Sequence, residues 1–118
     1  MPVMPSQIAL AILDLDQLRD VCMEDAELMR ELATSLIDDT ASHMPELAEA
    51  VDQADSARCV RLAHYVKGAC ANVGAASMAA LLKTIEMDAK AGDFGACHAS
   101  LANLAAELEK FSVEAATL

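Results

Sequence analysis

The stretch RLAHYVKGACANVGA, residues 61–75, decides how the chain is read. Its apolar residues recur every three or four positions, the spacing of a helix with one buried face. Gly68 interrupts it, beside a histidine and a lysine. Glycine inside a helix costs about 1 kcal/mol relative to alanine, and the surrounding sequence is rich in alanine. A helix that keeps this glycine has a use for the missing side chain.

The rest of the chain is helical in composition. Its 118 residues suit one domain with a single core. Hydrophobic residues make up 55 % but aromatics only 3 %, and alanine, leucine and methionine are good helix formers. No run of β-branched or aromatic residues alternates with period two, so no strands are expected.

Five helices are expected. A short one spans 14–22, with Asp14 or Asp16 as N-cap. A long one runs from near Glu24 to about Gln53 with Leu28, Leu32, Leu36, Met44, Leu47 and Val51 on its apolar side. Pro45 falls inside it and should kink or split it. Asp55 or Ser56 caps the next, about 57–73, which Gly74 ends. The fourth, about 76–91, carries Met78, Leu81, Leu82 and Ile85 and stops at Gly92. From Asp93 onward Cys97, Leu101, Leu104, Leu108 and Phe111 step by four and three, a bundle seam. Short connections make neighbours antiparallel. The expected fold is all-α: an antiparallel up-down-up-down four-helix bundle with a short additional N-terminal helix. Residues 1–13 read as a leader and 14–118 as the bundle domain.

Charge narrows the function. The net charge of −11 argues against a general nucleic-acid surface. No apolar run is long enough to span a membrane, and no signal peptide is recognisable, so a cytoplasmic protein and a monomer are expected. An acidic chain also disfavours membrane-surface binding. Cys22, Cys59, Cys70 and Cys97 lack C-x-x-C spacing and read as reduced, buried thiols. His43, His64 and His98 lack H-x-x-x-H spacing, and bases flank His64, so no metal site is expected.

With about 100° per residue, Cys59, Leu62, Val66, Ala69 and Val73 lie within about 40° of the side opposite His64. Val60, Arg61, Lys67, Gly68 and Ala71 lie within about 60° of it. His64 therefore points outward among small residues and bases. From Ser56 to Ile85 the chain has four bases and no acid, a net +4, while the remainder sets 19 acids against four bases, a net −15. Histidine, with an ordinary pKa of about 6.5, is largely neutral in the cytosol and can carry a phosphoryl group. Lys67, one turn on, could reach a phosphoryl oxygen, and Gly68 clears the next turn for a docking protein.

The pattern H-x-x-K-G-x-x-x-N-x-G-A, carried by His64, Lys67, Gly68, Asn72, Gly74 and Ala75, closely resembles the signature of histidine-containing phosphotransfer (HPt) domains. The following M-x-x-x-L-x-x-I-E, with Met78, Leu82, Ile85 and Glu86, extends it, as do A-D-S before the helix and A-G-D-F after Glu86. The likeness covers about residues 14–112.

The resemblance implies a phosphorelay intermediate of two-component signalling. His64 would accept a phosphoryl group from a receiver-domain aspartate and pass it to another receiver. Lys67 would neutralise the phosphoryl and Gly68 give clearance. Val60, Arg61, Tyr65, Ala71, Asn72 and Lys83 are expected to meet the partner, a response-regulator receiver or a hybrid sensor kinase; Tyr65 reads equally as an edge of the core, and Asn72 as a polar group of the helix end or hairpin turn. Glu86 is expected to support helix packing or a terminal contact, outside the active site. The chain should bind no cofactor itself; a divalent cation, Mg, would come with the receiver. Without a glycine-rich phosphate loop it should have no autonomous ATP-dependent kinase activity. The rival reading is a non-catalytic docking or sequestering bundle for a receiver or other signalling protein.

Overall fold

The computed structural model describes residues 10–118. Five α-helices follow in order: α1 Leu15–Val21, α2 Ala26–Asp52, α3 Ser56–Val73, α4 Ala76–Lys90 and α5 Phe94–Ala115. There is no strand among the described residues. The leader expected over 1–13 lies outside the described residues as far as residue 9. Within the described part, Ile12 and Leu13 pack against the core, and Ser77 N–H donates to the Ala11 carbonyl at 3.0 Å.

Aspartates start four of the helices. Asp14, Asp25, Asp55 and Asp93 each accept from a backbone N–H in the first turn, at 3.0–3.1 Å. Each satisfies an orphan donor and places negative charge at the positive end of the helix dipole. Helix α4 has no side-chain cap at Ala75; the Ser77 bond to Ala11 answers one of its free N–H groups instead.

Pro45 does not split α2. The helix is continuous over 27 residues with the proline inside it. Pro45 is exposed, and Leu36, Thr40, Leu47, Ala50 and Val51 are buried on both sides of it. Packing of both flanks outweighs one lost hydrogen bond, and the carbonyl that loses its donor belongs to solvent-exposed Ala41.

Helices α2 and α4 each pack on both α3 and α5, so the four long helices surround one core, and α1 lies on α2 and α3. The apolar register is offset from the expected one. On α2 the buried positions include Met29 and Ala33, while Leu28 is exposed and Leu32 and Met44 are half-buried. On α3 they are Cys59, Ala63, Val66, Cys70 and Val73, with Leu62 and Ala69 half-buried. On α4 and α5, Leu81 and Leu108 are half-buried, whereas Met78, Leu82, Ile85, Cys97, Leu101, Leu104 and Phe111 form core. The four cysteines are buried free thiols, and burial pushes the Cys70 thiol up to about 11.

The turn from α3 to α4 is pinned. Gly74 has φ +89°, a left-handed conformation that favours glycine. A Cβ there would stand 2.8 Å from the Asp14 carbonyl oxygen. That closeness lets Asp14 N–H donate to the Gly74 carbonyl at 2.7 Å. Gln17 Nε2 donates to the Ala71 carbonyl, so α1 caps the C-terminal end of α3.

Candidate functional site

Helix α3 turns His64 outward, with its side chain 69 % exposed. The buried stripe of α3 is rotated by about 40° from the expected one, toward Ala63 and Cys70. The rotation leans Val60 and Lys67 toward α4, where both are half-buried, and leaves Arg61, Tyr65, Gly68, Ala71 and Asn72 exposed with His64. Lys83 is exposed on α4. A Cβ on Gly68 would meet nothing within 4 Å. Its missing side chain answers no internal packing need, only the space outside the helix.

Glu86 is buried, as a packing role requires, but the expectation that it stands apart from the histidine is overturned. Glu86 on α4 is only 8 % exposed, yet it lies against the histidine. Its Oε1 is 3.2 Å from His64 Nδ1 and its Oε2 accepts from Lys67 Nζ at 2.8 Å. Lys90 Nζ stands 3.9 Å from Oε1. The Lys67 hydrogen bond holds the Glu86 carboxyl below the ordinary carboxylate value, against the opposing effect of burial, with the Lys67, His64 and Lys90 charges adding to it. Glu86 is therefore ionised at neutral pH and can only accept. A proton on His64 Nδ1 can be donated to this carboxylate, and the tautomer that does so keeps its lone pair on Nε2.

The sequence held a signal for this carboxylate. Glu86 is the first acid after the acid-free stretch Ser56–Ile85, and it continues the apolar register of Met78, Leu82 and Ile85. An acid in a core register needs a cationic partner. Lys67 is that partner.

The Hpt domain family matches residues 31–114, more than two thirds of the chain, a span that holds His64, Lys67, Gly68 and Glu86. The chain belongs to the Hpt domain family. Hpt domains serve histidine phosphotransfer in phosphorelay signalling and interact there with receiver domains. Comparison with the curated proteins and with the solved structures gave no match. Among the described residues of this Hpt domain, no three His, Cys, Asp or Glu side chains converge as a metal site. No helix among them is long and apolar enough to cross a membrane.

Proposed function

We propose that this Hpt domain takes a phosphoryl group onto His64 Nε2 from a receiver-domain aspartate and passes it to a second receiver. The observation that carries this is the exposed imidazole whose Nδ1 rests on the Glu86 carboxylate. In the accepting step the Nε2 lone pair attacks phosphorus. The P–O bond to the aspartate breaks, and its electrons return to the carboxylate. The proton stays on Nδ1, and Glu86 offsets the positive charge that develops on the ring. Lys67, one helical turn along, supplies a cation to the phosphoryl oxygens. Onward transfer is the same exchange with a new aspartate.

The four long helices run up-down-up-down and antiparallel, as connections of only a few residues favour. Arg61, Gly68, Ala71, Asn72 and Lys83 surround the histidine as contact surface, with Val60 at its α4 edge. The receiver brings the divalent cation, because a carboxylate cluster is what such an ion needs. The protein works as a monomer in the cytoplasm and makes no phosphohistidine from ATP by itself.

The test is to follow labelled phosphate from phosphorylated receiver domains into the wild-type protein and His64→Gln. Label is expected in the wild type only, and in an acid-labile form. If no receiver labels the wild type, the reading gives way to a non-catalytic docking bundle. If His64→Gln takes label equally well, His64 is not the acceptor.

A further inference from the structure

The face around His64 has two unlike sides. On the α4 side stand cations: Lys67 and Lys90 about Glu86, with Lys83 exposed on the same helix. On the α2 side stands an aromatic pair. Tyr65, the single tyrosine of the chain, is 55 % exposed, and its ring lies over His43 of α2 with centroids 5.0 Å apart, tilted by 42°.

His43 is itself held. Its Nδ1 is 2.8 Å from the Asp39 carbonyl, which can only accept, so this nitrogen donates one turn back along α2. Asp39 Oδ1 lies 3.4 Å from the same nitrogen, and Glu46 Oε2 lies 3.9 Å from Nε2. The imidazole is thus fixed across the gap between α2 and α3, where it backs Tyr65.

The surface continues from there. Asp39 and Ser42 of α2, with Ala69 and Asn72 of α3, line a groove of about 620 Å³. Ala69 and Asn72 lie one and two turns after Tyr65 on the same flank of α3, so Tyr65 stands at the end of the groove nearest the histidine. The α2 rim is acidic, with Asp38 and Asp39 on the groove and Glu46 beside His43.

We propose that Tyr65, held over His43, is the anchor that orients a receiver domain on this face, and that His43 is a positioning residue for it. This rests on the reading of His64 as phosphoacceptor. The occupant follows from charge. A receiver's phosphoaspartate pocket is rich in carboxylates because it must hold a divalent cation, and it suits the cationic α4 side. The receiver surface beside that pocket then falls on Tyr65 and the acidic α2 rim. A partner that fits has an apolar socket for the phenol ring with a lysine or arginine beside it. A ring already packed at a tilt against His43 has lost rotamer freedom before docking, so less ordering remains when the receiver binds.

The experiment uses the intact chain and a receiver domain phosphorylated with acetyl phosphate, chosen because it exchanges label with the wild type. Tyr65→Ala is expected to raise KM for that receiver by roughly tenfold or more, with kcat held within about twofold. His43→Ala should raise KM about three- to tenfold. His43→Phe, which keeps a ring under Tyr65 without the charge or the Asp39 bond, should bring KM back toward the wild-type value. The double variant should be no worse than Tyr65→Ala alone, because His43 acts through Tyr65.

An unchanged KM in Tyr65→Ala, additive losses in the double variant, or failure of His43→Phe to rescue would each overturn the anchor. Labelling of the wild type by phosphoramidate, which needs no docking, checks the acceptor reading separately. Label on His64 together with an unmoved KM sinks the anchor alone. No label from phosphoramidate or any receiver sinks both.

Discussion

Lys67 Nζ lies 2.8 Å from Glu86 Oε2, so the ammonium one turn from His64 is already paired while the histidine is unmodified. In the proposed transfer an incoming phosphoryl group would compete with Glu86 for that cation, and Glu86 would be left to the charged ring and Lys90. The exchange keeps charges matched on both sides of the reaction. Glu86→Gln removes the carboxylate while keeping its shape. It is expected to slow transfer from a phosphorylated receiver by roughly tenfold, in the range of a lost charge-assisted hydrogen bond. Initial rates of label transfer measure it, and an unchanged rate would remove Glu86 from the mechanism.

Glu86 also predicts a pH dependence of stability. The Lys67 hydrogen bond holds its carboxyl below the ordinary carboxylate value in the folded protein. The stabilisation from its ion pairs is therefore complete above about pH 4.5 and is lost as pH falls through the lowered folded value. Glu86→Gln should be less stable than the wild type at pH 7, with the gap closing below about pH 4.5. Urea midpoints of the two proteins at several pH values test this; a constant gap would contradict it.

The glycine inside α3 and the one that ends it should respond in opposite ways to alanine. Gly68 is helical and open, so Gly68→Ala is expected to stabilise by about 0.5–1 kcal/mol. Gly74 has φ +89° and no room for a Cβ beside Asp14. Gly74→Ala should destabilise by about 2 kcal/mol or more, a fall in Tm of roughly 8 °C or more. Thermal melts followed by circular dichroism decide both signs.

A longer side chain at Gly68 separates clearance from folding. Gly68→Gln should melt no lower than the wild type, because a Cβ there meets nothing within 4 Å and glutamine is the better helix former. Transfer from a receiver should nonetheless fall by about tenfold or more, since the glutamine stands one turn from His64 where the partner approaches. Equal rates would mean that the receiver does not come close to this turn.

Much of the fold was legible because the local signals agree. Aspartates at the helix starts, Gly74 and Gly92 at the ends and three-four apolar spacing all point to the same helices. The register within each helix was less legible. Ala63, Cys70 and Ala33 are small enough to be read as neutral, yet they are buried, because close helix packing favours small residues where backbones approach. The split expected as one alternative at Pro45 does not occur for a related reason: local propensity treats proline as a break, but the core on both sides holds the helix through it. At the site, His64, Lys67 and Gly68 share a helix, so periodicity places them together. Glu86 comes from another helix, and only tertiary packing brings it to the histidine.

The clasp between Asp14 and Gly74 has a consequence for where the cooperative unit begins. The span that matches the Hpt domain family starts at residue 31, inside α2. Leu18 and Cys22, ahead of it, are almost entirely enclosed, and Asp14 is bonded to the hinge of the hairpin that carries both His64 and Glu86. A fragment cut to the matched span would leave that hinge unlatched and a patch of core wet. The smallest piece that melts as the whole domain does therefore starts no later than Asp14, and any force that lifts α1 is felt first at the α3–α4 hairpin.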